Sequence, residues 1–294
     1  MVNGEYLPRL LPGTFAADVR KEFWQQEVDI QNVQGGGHPA LARYLKYMEW
    51  TNLATRRLRS FVSESDVERL VHTRMFWTLQ AHAATPELKV VTDLVDVEIA
   101  DRVQAFRNAK ESMDCWEKRW LFAGAIAMPD TSFFIHCPEK IAEWDLAPNL
   151  GVREEPIVVL IPMAVVDELD RLKESKDRDV RWRAGHSLGV IDRVVALGAA
   201  SGVLKEGKPV PAGGEGPPRG AVALDILYDP PGHVRLPIDD DEIVDRGVVA
   251  QGLAGQTVTL LTFDTGQSMR ARRAGLRAVR SKRPGEDQAE TEPK

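Results

Sequence analysis

Cysteine is scarce in this chain. The 294 residues hold two, Cys115 and Cys137, in no metal-ligand spacing, which argues against a disulfide framework or a thiolate zinc site and fits reduced thiols in a cytoplasm. Long apolar runs are also missing: no segment approaches ~18 uninterrupted apolar residues, and Met1–Arg9 shows no basic stretch followed by an apolar core. The expectation is a cytoplasmic protein, neither secreted nor membrane-spanning. Positive charge is in deficit, with 38 Lys and Arg against 44 Asp and Glu and a formal net charge of −6, which argues against a general nucleic-acid coat held by counterion release. The six histidines have no His-Glu-x-x-His spacing, and there is no Gly-x-Ser-x-Gly elbow, so zinc hydrolysis of that type and a serine triad have no support. The segment Gln34-Gly35-Gly36-Gly37-His38 lacks the Lys-Ser/Thr of a phosphate loop and has no strand before it. It reads as a hinge.

What is present is ordinary globular material, 43% hydrophobic, of a length that suits two domains. Residues 1–120 read as an all-α domain. A helix runs through Leu41, Tyr44, Leu45 and Met48 to about Leu58. Another is expected to start near Asp66, from the Ser-x-x-Glu capping pattern of Ser65 and Glu68, and to bury Val67, Leu70, Val71, Phe76 and Leu79. A third starts at Thr85-Pro86 and continues through Leu88, Val95, Ile99 and Phe106. The tryptophans Trp24, Trp50, Trp77 and Trp116 on these helices are expected in the core.

From about Leu121 the pattern changes to apolar runs of strand length separated by helices: Phe122–Met128, Ile157–Ile161 and Val258–Thr262. Alternation of strand and helix implies a parallel sheet covered by helices. Pro162 opens the helix after the second strand, a further helix covers about Val180–Leu197, and Ala221–Leu227 suggests an added strand. The Gly- and Pro-rich residues 205–220 read as a surface insertion within a domain spanning 121–283. Residues 284–294 read as a disordered tail.

Four acids at the ends of these apolar runs carry the chemistry: Asp130, Glu168, Asp240 and Asp264. In an open parallel sheet, ligands gather beyond the carboxyl ends of the strands, so Asp130 and Asp264 are expected in one cleft, with Glu168 leaning over it and Asp240 opening a helix. Carboxylates so gathered repel one another unless a divalent cation opposes their charge, and donors that are all oxygen favour Mg²⁺ or Mn²⁺ over Zn²⁺. Each acid taken singly has an ordinary reading. Asp130 and Asp264 suit helix caps, Glu168 a pair with Arg171 or Lys173, and Asp239, Asp240 and Asp241 an acidic helix start. The basic residues Arg270, Arg272, Arg273, Arg277, Arg280, Lys282 and Arg283 form either a solvated helix face or a phosphate-binding stretch.

The ordered set resembles the PIN-domain nucleases. The match runs through Asp130-Thr131-Ser132, through Ile161-Pro162-Met163-Ala164-Val165-Val166-Asp167-Glu168-Leu169-Asp170-Arg171-Leu172-Lys173, through Asp240 to Ile243, and through Thr262-Phe263-Asp264. It covers roughly Ala123–Arg280 and leaves the helical first half unaccounted for. The resemblance implies a three-layer α/β/α fold with a parallel sheet and an Mg²⁺- or Mn²⁺-dependent site that cuts single-stranded or structured RNA. Asp130, Glu168, Asp240 and Asp264 would be its metal-binding carboxylates, with Ser132 and Thr262 as supporting polar groups and Arg270, Arg272 and Arg273 on the substrate. Asp239 and Asp241 stay open as alternatives for the third position. The leading expectation is thus a metal-dependent endoribonuclease, with homo-oligomers and a protein inhibitor among the partners relatives suggest. The rivals are a non-catalytic RNA-binding or protein-docking scaffold, the toxin half of a toxin and antitoxin pair, and, more distantly, an aspartyl phosphatase.

Overall fold

The computed structural model describes residues 8–11, 13–34, 40–82, 88–195, 199–208, 219–230 and 233–282. The glycine hinge at Gly35–His38, the Thr85-Pro86 helix start, residues 209–218 of the insertion, Arg283 and the tail lie outside them, while the helix expected over Val180–Leu197 ends earlier, at Val194. The chain divides into two compact units, one spanning Val2–Arg119 and one from Trp120 onward. No helix among the described residues is long and apolar enough to cross a membrane.

The first unit is helical: α1 (Ala16–Gln34), α2 (Ala40–Leu58), α3 (Glu64–Leu70), α4 (Arg74–His82) and α5 (Leu88–Trp120). Its core is aromatic, with Phe23, Tyr47, Trp50 and Phe106 all buried and the Phe106 ring edge-on to both Phe23 and Trp50. Two of the four tryptophans depart from expectation, since Trp24 and Trp77 are 54% and 59% exposed. One residue is about 100° of helical turn, so with Phe23 facing inward Trp24 is carried to the surface. The capping assignment also shifts. Ser63 is the N-cap of α3, accepting from the Asp66 amide, while Ser65 lies inside the helix. The apolar series from Val67 to Leu79 is split between α3 and α4, broken at Val71–Thr73.

The second unit is built on a six-stranded sheet in the order β3-β4-β2-β1-β5-β6. Its elements are β1 (Ala125–Pro129), α6 (Thr131–His136), α7 (Ala147–Leu150), β2 (Ile157–Pro162), α8 (Met163–Leu172), α9 (Arg178–Val194), β3 (Ser201–Lys205), β4 (Val222–Leu227), α10 (Asp239–Ala254), β5 (Val258–Thr262), α11 (Thr265–Arg273) and β6 (Arg277–Arg280). Every pairing is parallel except that of β3 with β4. The central strands β2 and β5 are buried along their whole length, as expected for strands covered on both faces. Three local differences from expectation follow. β1 starts at Ala125 because Leu121 and Phe122 are exposed, at 75% and 57%. Lys205 belongs to the edge strand β3 and not to the insertion, whose ends are closed by mutual backbone hydrogen bonds between Lys208 and Arg219. The basic stretch is not one helix: α11 ends at Arg273, Gly275 turns at φ 87°, and Arg277 and Arg280 lie on β6.

The connections set the cleft. From β1 the chain steps outward through β2 to β4, then returns across the sheet to β5 on the other side of β1. The reversal between β1 and β5 is a topological switch point, where a crevice opens beyond the strands' carboxyl ends.

Candidate metal centre and active site

Register places the first pair. Pro129 on β1 is opposite Leu261 on β5, so Asp130, the next residue, stands beside Thr262, and its amide donates to the Leu261 carbonyl at 3.0 Å. Asp130 is 4% exposed and caps α6, its Oδ1 accepting from the Phe133 amide at 2.9 Å and from Ser132 Oγ at 2.7 Å. The Thr262 hydroxyl donates to Oδ2. The two hydroxyls are themselves held from behind: the Phe263 amide donates to Ser132 Oγ and the Asp264 amide to Thr262 Oγ1, both at 2.8 Å. A hydroxyl has one proton to give, and a lone pair engaged by an amide turns that proton towards the carboxylate. Two amide–hydroxyl–carboxylate relays therefore lock the β5–α11 turn onto Asp130 and fix both of its oxygens.

Burial pushes the Asp130 carboxyl up to about 6. The Thr262, Ser132 and Phe133 donors oppose this, and the Asp240 charge adds to it. Asp239 is paired with Arg171, and Arg270 reaches both Asp240, at 3.2 Å, and Asp241, at 3.0 Å. Asp240 is itself raised, first by burial and then by Asp264, Asp241 and Asp239, against a lowering by Arg270. Its backbone carbonyl accepts from Gln267 Nε2 at 3.2 Å, which ties α11 to the first turn of α10.

Asp264 is exposed and caps α11, accepting from the Gln267 amide at 3.1 Å. Glu168, on the second turn of α8, accepts from Thr131 Oγ1 at 2.5 Å, so the residue next to Asp130 also holds the second acid. The ordinary readings of Asp130 and Asp264 hold, since both cap helices, whereas Arg171 and Lys173 pair with Asp239 and Asp170 and not with Glu168. Thr131 and the fully buried Gln267 were not singled out from the sequence. Thr131 stood in the Asp-Thr-Ser triplet as a visible signal, whereas nothing in the sequence set Gln267 apart.

The supporting groups differ from expectation in detail. Ser132, expected as a supporting polar group, donates its proton to Asp130. Arg270 was expected on the substrate, and its guanidinium lies against Asp240 at 3.2 Å and against Asp241. Arg272 and Arg273 are exposed at the last turn of α11. Arg277 donates to the Leu150 carbonyl at 3.0 Å, which makes it a strand anchor.

The donors of Asp130, Glu168, Asp240 and Asp264 are all oxygen, with the Arg270 guanidinium against Asp240 and Arg171 close enough to feel the Glu168 charge. This set fits a hard divalent cation, with Asp130 already oriented by its donors and Gln267 Oε1 left buried without a partner beside α10. The four are looser than a closed ligand cage, however. Among the described residues, the three acidic, His or Cys side chains whose donor atoms lie within 4.8 Å of one another are Asp229, His233 and Glu242, not members of this set.

A search of curated proteins finds no match. The family model described as PIN domain matches residues 127–282, a span that begins within β1 and runs past the end of β6 and so takes in all four acids. Together with the mostly parallel sheet and its flanking helices, that match over more than half of the chain means that this protein belongs to the PIN domain family, whose members are generally nucleases using divalent metal ions.

Proposed function

We propose that the protein is a metal-dependent endoribonuclease in which Asp130, Glu168, Asp240 and Asp264 hold Mg²⁺ or Mn²⁺ and hydrolyse RNA phosphodiesters. The observation that carries this reading is Asp130: a carboxylate 4% exposed, fixed at both oxygens by relayed hydroxyls and raised first by burial and further by a second carboxylate. Such an arrangement is costly to fold, because it buries charge beside like charge, and it has a use when an opposing cation is supplied. A bound divalent ion supplies Lewis acidity towards a phosphoryl oxygen and strengthens water as a nucleophile.

The chain's own groups do the rest. Thr262 and Ser132 hold Asp130 in its ionised form by donating to it, and Thr131 holds Glu168. Arg270 holds the first turn of α10 and lowers the repulsion around Asp240. Arg272 and Arg273, exposed on the same helix that Asp264 caps, steer an RNA backbone by charge.

Purified protein given Mn²⁺ or Mg²⁺ cleaves single-stranded RNA, and Asp130→Asn lowers the rate by at least about 100-fold, the scale of about 3 kcal/mol in a barrier. Equal rates in the two proteins rule the site out. The scaffold reading draws on one observation, the ion pairs of Arg270 with Asp240 and Asp241, which satisfy part of the acidic charge internally. Calorimetry separates the readings: an absence of heat on titrating millimolar Mn²⁺ into wild type favours the scaffold.

A further inference from the structure

Beyond β4 the chain crosses a loop to α10, and the first turn of that helix carries Glu242, whose side chain is 1% exposed. Its Oε1 lies 2.7 Å from His233 Nε2, and one donor atom each from Asp229, His233 and Glu242 lies within 4.8 Å of the other two. The two carboxylates are also held from outside the triad. The Leu236 amide donates to Glu242 Oε2 at 2.9 Å, and Arg235 Nε donates to Asp229 Oδ2 at 2.6 Å while Arg235 Nη1 reaches Asp167 Oδ2 at 2.5 Å. Outer hydrogen bonds orient carboxylates around metal ions, and here each outer donor engages one oxygen and leaves the other facing the triad.

We propose that Asp229, His233 and Glu242 form a second divalent-cation site, of mixed nitrogen and oxygen donors, that takes a transition ion of the Zn²⁺ class. His233 Nε2 and Glu242 Oε1 face each other at 2.7 Å, and a cation bound between them takes a lone pair from each, with any proton held there released to solvent. Two carboxylates and a neutral imidazole carry a charge of −2, which a divalent ion cancels. An imidazole donor selects Zn²⁺ or its transition-metal neighbours over Mg²⁺, which keeps oxygen ligands and its own waters. Side-chain exposure rises from 1% at Glu242 to 14% at His233 and 25% at Asp229, so the site opens to solvent at Asp229. Two segments contribute, the loop after β4 with Asp229 and His233 and the first turn of α10 with Glu242, so the ion cross-links the loop to the helix. Glu242 follows Asp240 by two residues on the same turn, and an ion here stiffens the turn that carries Asp240.

This site stands apart from the nuclease reading, and the Asp130→Asn protein separates the two. Full-length chain is dialysed against Zn²⁺ in excess Mg²⁺, bound zinc is measured by elemental analysis, and thermal unfolding is followed with and without Zn²⁺. Wild type and Asp130→Asn each retain one Zn²⁺ per chain and unfold at higher temperature with it. His233→Ala binds zinc more than about tenfold more weakly and loses the thermal shift. Asp229→Asn, whose amide oxygen still accepts from Arg235, weakens binding in the same direction and serves if His233→Ala does not fold. No zinc on wild type, or wild-type zinc content in the folded His233→Ala or Asp229→Asn protein, overturns the site. Loss of zinc from Asp130→Asn does so equally, because the ion would then belong to the nuclease cluster.

Discussion

At the scale of single residues, Asp130 sets the balance between stability and chemistry. Its carboxyl is raised by burial from 3.8 to about 6, so the folded chain holds this proton more tightly than the unfolded chain does. A raised acid contributes stability that is complete below the unfolded value and is lost as pH rises through the folded value, here between about pH 4 and pH 6. At neutral pH the loss is at most about 3 kcal/mol. Asp130→Asn removes the charge but leaves the Thr262 proton without an acceptor, worth about 1 kcal/mol, so a net gain of about 1–2 kcal/mol remains. In chelator at pH 7.5 this variant therefore unfolds at higher temperature than wild type, and by pH 4 it no longer does so. A gain that persists at pH 4 contradicts the assignment. Thr262→Val acts oppositely on the same carboxyl: removing a donor to the ionised form raises Asp130 further and moves its titration window to higher pH.

At the scale of elements, close approach of backbones fixes where helices meet strands. A Cβ on Gly202 would lie 1.9 Å from the Val194 carbonyl oxygen, so α9 ends against β3 only because that position is glycine. Gly202→Ala forces one backbone away from the other and destabilises the second unit by about 1–3 kcal/mol, read as a lower denaturant midpoint. An unchanged midpoint would show that α9 and β3 part without cost. The buried strands β2 and β5 were legible as apolar runs of strand length, and so was the order of acids that follows from them. The edge elements were not. β3 has an exposed and half-buried pattern with a register shift near Lys205, and β6 is four residues bearing two arginines, so neither shows the apolar run of a covered strand. The site was legible in its acids and illegible in its wiring. Ser132 and Thr262 were visible as polar neighbours, but the proton direction that makes them holders of Asp130 depends on the Phe263 and Asp264 amides, which only the β1–β5 register brings within reach.

At the scale of the whole molecule, the unit that carries the site begins at Trp120. The Trp120 side chain is fully buried, and its indole N–H donates to Asp225 Oδ2 on β4 at 2.9 Å. A fragment starting at Lys118 therefore folds and keeps the RNA-cleaving activity proposed above. One starting at Leu121 loses about 3–5 kcal/mol, from the missing indole. Equal stability of the two fragments would place the boundary elsewhere. Bringing side chains from β1, α8, α10 and α11 to one cation is what the whole fold is proposed to accomplish, and diffraction from a crystal soaked in Mn²⁺, recorded at a wavelength where manganese scatters anomalously, tests it directly. The expected result is an anomalous peak within ligating distance of Asp130 and at least one of Glu168, Asp240 and Asp264; a fully soaked crystal with no such peak beside Asp130 contradicts it.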